Sequence, residues 1–216
     1  MFLENRHLYE DVQDLLMGVL HALTASIDAK DPYTCGHSRR VAILSRDLAC
    51  LAGLDAAAAQ RLYLAGLLHD VGKIGIPESV LLKAGKLTGA EYAAVKAHPG
   101  TGARILRGIR QVEPVLPAIL HHHERLDGRG YPARLGGEQI PLEARIVALA
   151  DSFDAMTSCR TYRTAMALEA VTAELRRCRG AQFDPRLVDL LLGQNLEALL
   201  HETRRQADES AAVPAA

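Results

Sequence analysis

Apolar residues recur at the three- and four-residue spacing of an α-helix along nearly the whole chain, and this periodicity points to an all-helical fold. The sequence offers no pair of alternating stretches that would predict neighbouring strands, and it contains no internal repeat. With 216 residues, 49% of them apolar, the chain can bury one sizeable core. We therefore predict a compact all-α bundle. In the first helix, 8–30, one side is predicted to carry Leu15, Leu16, Val19, Leu20, Leu23 and Ile27.

Helix starts and one long loop are readable from local sequence. Asp55 and Asp184 are predicted N-caps, and Thr88 with Glu91 forms a predicted capping box. Residues 124–141 contain several glycines and two prolines and have little apolar periodicity. Long loops inside compact domains are usually functional or disordered. This loop is therefore a candidate border of a functional site.

Composition excludes some functions. The formal net charge is −1, so the basic surface needed for duplex nucleic acid is absent, whereas a small anionic substrate is compatible with a local group of cations. The four cysteines are scattered without a CxxC pair, which predicts reduced thiols and a cytoplasmic location. No apolar run approaches the roughly 18 residues of a membrane span.

Histidines and aspartates interrupt otherwise apolar segments. His69 and Asp70 end the run AGLLHD, and Asp151 and Asp154 lie three residues apart in IVALADSFDAM. Burying such groups unpaired is costly, and a bound metal ion removes the cost. Adjacent helical side chains point about 100° apart, so His69 can bind one ion while Asp70 bridges to a second. An imidazole-rich set suits first-row transition metals. The alternative at this stage is a set of unrelated histidines at helix ends.

Six ordered motifs resemble the HD superfamily of phosphohydrolases, specifically its HD-GYP branch. They are DPYTCGHSRRVA, HDVGKIGIPESVLLKAGKLT, HPG, HHERLDGRGYP, IPLEARIVALADSFDAMTSCRTYR and FDP, and they cover about 31–189. A bare HD dipeptide would carry no weight, but this order includes the signature Gly130-Tyr131-Pro132.

The resemblance implies a metal-dependent phosphodiesterase that hydrolyses cyclic di-GMP to linear pGpG and further to GMP in some relatives. It implies two divalent transition-metal ions, iron or manganese, and a water molecule activated between them as the nucleophile. Lys73, Arg160 and Arg163 are the implied phosphate contacts, with Asp70 and Lys73 catalytic and Gly130 and Tyr131 beside the substrate. The implied metal ligands are His37, His69, Asp70, His98, His122, His123 and Asp151.

Two positions depart from the family pattern. Some relatives carry an acidic ligand one turn before the first histidine and bind three ions, whereas Tyr33 stands there in this chain, with Asp31 nearby. We therefore expect two ions. Leu126 occupies a position that is often aromatic in relatives, and His121 is left out of the ligand set.

The domain prediction follows the motifs. Residues 1–30 form an N-terminal helix, either a stalk that forms a homodimer or relays a signal from a regulatory domain or protein, or a helix packed on the core. Residues 31–202 form the catalytic domain, and 203–216 form a disordered tail.

Three other functions are compatible with parts of the sequence. An HD hydrolase of another nucleotide, or of a different cyclic dinucleotide, would differ in substrate only. A metal-bound signalling or adaptor module would bind with little turnover. An HD-fold oxygenase with a mixed-valent di-iron pair would consume oxygen, and Lys73 would then have no evident purpose.

Overall fold

The computed structural model describes residues 2–30, 36–83, 85–159 and 164–211, and within them the fold is entirely helical. The only extended pairing in these ranges is two isolated bridges, Asp127 with Gly136 and Arg179 with Phe183. The all-α prediction is therefore confirmed. The helices are α1 (Phe2–Lys30), α2 (His37–Leu51), α3 (Ala56–Leu68), α4 (Glu78–Leu81), α5 (Gly89–Lys96), α6 (His98–Leu106), α7 (Leu116–His121), α8 (Leu142–Thr157), α9 (Leu168–Cys178), α10 (Pro185–Leu192) and α11 (Leu196–Ala211), with 3-10 helices at Val71–Gly75, Glu113–Val115 and Gly137–Gln139.

The core lies between α2, α3 and α8, with α7, α9 and α10 packed around them. Its fully buried side chains are mostly leucine, isoleucine and valine, with Phe153 of α8 among the largest. The start of α2, the end of α3 and the face of α8 that carries Asp151 meet at one side of this core. The core thus fixes the positions of the candidate site.

Local sequence signals set the helix starts as predicted. The Asp55 carboxylate accepts a hydrogen bond from the Ala58 amide at 2.7 Å, and Asp184 accepts one from the Arg186 amide at 2.8 Å. Thr88 and Glu91 form the reciprocal pair of the capping box. Each bond satisfies an amide that the first helical turn leaves without a partner.

The packed face of α1 differs from the prediction. Leu20 and Ile27 are buried and Leu16 and Leu23 pack beside them, but Leu15 and Val19 are 68% and 56% exposed. The prediction was wrong because it merged two stripes of the helix, of which only one reaches the core. Leu8, Val12, Leu15 and Val19 make up the second, exposed stripe.

The tail also differs from the prediction. Helix α11 continues to Ala211, with Thr203 and Ala207 buried. The Arg204 guanidinium donates to the carbonyl oxygen of Thr157 at 3.0 Å, which ties α11 to the end of α8. The polar composition suggested disorder, but the buried side chains on one face of α11 and this hydrogen bond hold it against the core as an amphipathic helix. Residues 212–216 lie outside the described residues, and none of the described helices is long and apolar enough to cross a membrane.

Candidate metal centre

A first group of ligand atoms lies where α2 begins and α3 ends. His37 is the first residue of α2, and His69 and Asp70 directly follow α3. Each offers one ligand atom within 4.8 Å of the others. Asp151 of α8 joins them, because its Oδ1 lies 3.2 Å from His37 Nε2 and 4.0 Å from His69 Nε2.

A second group lies on the other side of Asp70. His98 is the first residue of α6, and His122 and His123 directly follow α7. Ligand atoms of these three histidines and Asp70 also lie within 4.8 Å of one another. The Nε2 atoms of His98 and His122 are only 3.4 Å apart.

Asp70 belongs to both groups, and its two oxygens face different histidines. Oδ2 lies 3.3 Å from His69 Nε2 in the first group, and Oδ1 lies 3.3 Å from His98 Nε2 in the second. A carboxylate in this position can bind two cations at once. The arrangement fits a pair of ions joined by one aspartate.

Hydrogen bonds orient three of the histidines so that Nε2 is the free nitrogen. The Nδ1 atoms of His69, His98 and His122 each lie 2.7 Å from a carbonyl oxygen three residues earlier, those of Gly66, Val95 and Ile119. A carbonyl only accepts, so Nδ1 is the donor nitrogen of each ring and Nε2 is the nitrogen that faces the other ligand atoms. His69 Nε2 is buried and lacks a hydrogen-bond partner in the described part of the chain. The Nε2 atoms of His98 and His122, 3.4 Å apart, and the Asp70 oxygen 3.3 Å from His98 Nε2 are close enough to bind one cation, so the residues fit metal ions.

The buried histidines of the two ligand groups differ in the direction in which their pKa values are shifted. Burial lowers the pKa of His37, but hydrogen bonds to Asp151 and Asp154 outweigh it and raise that pKa to about 9. Burial lowers the pKa of His123 to about 4. Burial would raise the pKa of Asp70, but the charges of His69 and Lys73 hold it well below its usual range. A cation in the first group would therefore displace a proton from His37, whereas His123 is already neutral.

Two residues behind His37 were not among the predicted site residues. Asp154 is 1% exposed, and its Oδ2 lies 2.7 Å from His37 Nδ1. The Arg40 guanidinium donates to both oxygens of Asp154, from Nε at 2.7 Å and from Nη2 at 3.1 Å. The sequence signal for Asp154 was its placement three residues after Asp151. Arg40 gave no comparable signal, since its partner is 114 residues away.

Lys73 lies beside the bridging aspartate. Its Nζ is 2.6 Å from Asp70 Oδ2, and its side chain is 19% exposed. The ammonium group is therefore close to the ligand atoms and still reachable from solvent, as a phosphate contact must be.

The loop after α7 covers the second group. The ring of Tyr131 lies over that of His123, with centroids 4.8 Å apart, and the Tyr131 amide donates to the His123 carbonyl oxygen at 3.2 Å. A Cβ atom on Gly130 would lie 2.5 Å from the Glu124 Cα atom, so only glycine fits there. The sequence predicted that this loop borders the site. Its two predicted residues, Gly130 and Tyr131, lie against His123 of the second group.

Glu124 fixes the same loop and was not singled out from the sequence. It is 3% exposed, and its two oxygens accept hydrogen bonds from the amides of Ala133 at 2.6 Å and Leu135 at 3.1 Å. The neighbouring His121 belongs to neither group, and its Nδ1 lies 3.8 Å from Glu124 Oε1.

A cleft of about 610 Å³ opens between this loop and α5. Its charged lining side chains within the described residues are Lys96, Arg129 and Arg134, with Tyr92 and Tyr131 beside them. Its positive charges and aromatic rings are complementary to a small anion with an aromatic part. The predicted substrate contacts Arg160 and Arg163 lie outside the described residues, as do Asp31 and Tyr33.

Comparison with known proteins decides the family. The family model described as HD domain matches residues 22–187, most of the chain. The chain belongs to the HD-domain family. The resemblance noted in the sequence motifs is thereby confirmed, and the histidine–aspartate groups described above lie in the matched part of this HD-domain protein.

Similar proteins include two curated relatives and one solved structure. The chain is 44% identical over 184 residues to the cyclic di-GMP phosphodiesterase response regulator RpfG of Xanthomonas campestris, covering 84% of this chain and 49% of the relative. It is 39% identical to the 3'3'-cGAMP-specific phosphodiesterase 2 of Vibrio cholerae, covering 88% and 37%. A cyclic GMP-AMP specific phosphodiesterase of V. cholerae has a similar fold, with a TM-score of 0.69 at 22% identity over 91% of this chain and 53% of that one. The chain thus spans less than half the length of each of these two curated relatives.

Proposed function

We propose that this HD-domain protein hydrolyses a phosphodiester bond of cyclic di-GMP, giving linear pGpG, at a centre of two divalent metal ions. The observation that carries the proposal is the position of Asp70, whose two oxygens face histidines of two separate groups. The names of the relatives support a cyclic dinucleotide as substrate class. Those names include both cyclic di-GMP and cGAMP. The choice of cyclic di-GMP over cGAMP is therefore the more specific part of the proposal.

The ligand set proposed for the first ion is His37, His69, Asp70 and Asp151, and for the second Asp70, His98, His122 and His123. Two such ions supply an activated water molecule and neutralise charge on the phosphate. Iron or manganese is the proposed identity, since imidazole with a few carboxylates suits first-row transition metals.

The protein's own residues bind and orient the substrate. Lys73 is held by Asp70 at 2.6 Å with part of its side chain in solvent, so its ammonium group can contact a phosphoryl oxygen. Arg160 and Arg163 are proposed contacts for the second phosphate, because a guanidinium group matches phosphate geometry. Tyr131 and the backbone at Gly130 border the substrate, and the basic cleft beside them can accept a nucleotide part.

Metal content and turnover of one variant test this proposal. Purified anaerobically, the wild-type protein should hold about two transition-metal ions per chain and hydrolyse cyclic di-GMP. Asp70→Ala should lose most of its metal and all measurable turnover while keeping its helical content by circular dichroism. Asp47→Asn, a half-buried carboxyl change on α2 away from both groups, is the matched control and should behave as wild type.

Other results would replace the proposal. Turnover of a different nucleotide in a substrate panel would indicate another HD hydrolase. Tight binding of cyclic di-GMP with no product would indicate a signalling or adaptor module. Oxygen uptake with a diol would indicate the oxygenase. Unchanged cyclic di-GMP turnover in Asp70→Ala would contradict the two-metal mechanism itself.

A homodimer through α1 is proposed from its exposed stripe. Leu8, Val12, Leu15 and Val19 are each more than half exposed and follow the four–three–four spacing of a coiled coil. Valine at one seam position with leucine at the other favours two parallel strands. In this arrangement α1 also provides the attachment for a regulatory domain or protein. The catalytic domain is residues 31–202, and the rest of α11 extends it to residue 211.

The dimer is tested by light scattering during gel filtration. Leu15→Lys should give a monomer, because it places a charge in the seam, whereas Asp14→Lys on an adjoining exposed face should remain dimeric. A monomeric wild-type protein at micromolar concentration would exclude this part of the proposal.

A cytoplasmic location is proposed from the cysteines. Cys50, Cys159 and Cys178 are free thiols, as expected in a reducing compartment. Titration of the unfolded protein with a thiol reagent should find four reactive groups, and any disulfide would count against this location.

A further inference from the structure

His37 differs from three other histidines of the site in the group that its Nδ1 atom contacts. Three of them donate Nδ1–H to a neutral backbone carbonyl of their own helix region, at 2.7 Å in each case. His37 instead has the carboxylate of Asp154 at 2.7 Å from Nδ1, on a different helix 117 residues away. A charged acceptor makes the imidazole a stronger electron donor than a neutral one does.

Asp154 is itself held in place. It is almost fully buried, and the Arg40 guanidinium grips both of its oxygens. The hydroxyl of Ser158 lies 3.3 Å from its Oδ1. A buried carboxylate needs such compensation, and Arg40 balances its charge without entering either ligand group.

The two groups therefore differ in negative charge. The first contains the carboxylates of Asp70 and Asp151, while Asp154, whose own charge Arg40 balances, contacts the ring of His37 from behind. The second contains Asp70 as its only carboxylate among the described residues. Attraction for a divalent cation is correspondingly greater in the first group.

We propose that Asp154, held by Arg40, is a positioning residue that fixes the ring of His37 and gives the first group the higher metal affinity of the two. The inference rests on the proposed two-metal centre. It assigns a role to two residues that lie outside the ligand set, and it predicts an order in which ions bind.

Titration of the metal-free protein with Co²⁺, followed by visible absorption and equilibrium dialysis, tests the proposal without an activity assay. Wild type should bind two ions in two resolved steps. Asp154→Asn should weaken the tighter step by about 10- to 100-fold, as loss of a partner behind a metal-bound histidine typically does, and leave the weaker step within about threefold. Glu143→Gln, an exposed carboxyl change on the same helix, should leave both steps unchanged.

A double-substitution cycle separates positioning from general damage. In a His37→Ala background, Asp154→Asn should have no further effect on Co²⁺ affinity, because the ring it positions is gone. In a His123→Ala background, which removes a ligand of the second group, it should retain its full effect. Arg40→Gln should weaken the same step as Asp154→Asn, and it provides a second test if Asp154→Asn fails to fold.

Failure of this inference can be told apart from failure of the proposed two-metal function. A wild-type protein that binds no ions would overturn both proposals. If wild type binds two ions but Asp154→Asn weakens both steps equally, this inference alone is overturned. The same follows if Asp154→Asn keeps its full effect on Co²⁺ affinity in the His37→Ala background.

Discussion

Gly72 decides how closely the 3-10 helix Val71–Gly75 approaches α6. A Cβ atom at this position would lie 1.9 Å from the carbonyl oxygen of His98 and 2.5 Å from the Gly102 amide nitrogen. Both contacts are to backbone, which cannot rotate away as a side chain does. The missing side chain therefore lets Asp70 and His98, on either side of this contact, reach the same site.

Gly72→Ala is expected to destabilise the metal-free protein by about 3 kcal/mol or more, at the upper end of overpacking effects. Urea unfolding followed by circular dichroism measures the change. Gly100→Ala on α6 is the control, since a Cβ there meets nothing within 4 Å, and it should be neutral or slightly stabilising. Equal stability of the two variants would mean that this contact is not tight.

The shifted histidines predict a stability maximum near pH 6.5 for the metal-free protein. His123 has a folded pKa of about 4 against about 6.5 unfolded, so its contribution is lost as the pH falls from 6.5 toward 4, on the order of 3 kcal/mol. His37 has a folded pKa of about 9, so its contribution is present below 6.5 and lost as the pH rises toward 9. Burial lowers the pKa of His122, which adds to the acidic limb, and His69 has a raised pKa, which adds to the alkaline one.

Melting temperatures measured across this pH range in a chelator check the prediction. His123→Gln should flatten the acidic limb and His37→Gln the alkaline limb. A profile that is level between pH 4 and 9 in the wild type would contradict both shifts.

At the scale of elements, the loop after α7 is irregular in backbone yet firmly held. Glu124 accepts two amide hydrogen bonds from the far side of the loop, and Tyr131 lies on the ring of His123. One buried carboxylate thus replaces the repeated hydrogen bonds that a helix would supply. Apart from the short 3-10 helix Gly137–Gln139, the loop keeps its shape beside the candidate site without regular secondary structure.

Glu124→Gln should loosen this loop, because an amide offers one acceptor oxygen where the carboxylate offers two. We expect a loss of about 1.5–3 kcal/mol of local stability, the usual worth of a hydrogen bond to a charged group. Faster hydrogen exchange at the Ala133 and Leu135 amides is the measurement. Glu138→Gln, an exposed change in the same loop, should leave that exchange unchanged.

Elements were predictable where their signals are local. The caps at Asp55, Thr88 and Asp184 depend on residues within three positions, so the sequence alone identified them. The exposed stripe of α1 was misassigned because helical spacing does not reveal which face meets a core. Arg40 was overlooked for a different reason, because its partner on α8 is 114 residues away and no local pattern joins the two.

At the scale of the whole molecule, the candidate centre links segments that the apolar core and the Arg40–Asp154 ion pair also hold together. Its ligands come from the starts of α2 and α6, the residues after α3 and α7, and the middle of α8. An ion that binds only this arrangement stabilises the whole fold. The candidate site is in this sense also a structural element of the bundle.

Metal ions should accordingly raise the melting temperature of the chelator-treated protein. At a free concentration 1,000 times the dissociation constant, the gain in the free energy of unfolding is about 4 kcal/mol per ion. Calorimetry with and without Mn²⁺ measures it, and Asp70→Ala should show little of the gain. An equal gain in wild type and Asp70→Ala would place the bound ions elsewhere.

The spread of the ligands along the chain also bears on biosynthesis. The first ligand is residue 37 and the last is residue 151, and the Asp154 partner of His37 comes later still. A ribosome delivers a chain from its N-terminus, so the first group is incomplete until most of the protein has been made. Metal loading of that group must therefore follow translation of α8, and a nascent chain released before that point would lack the full set of ligands.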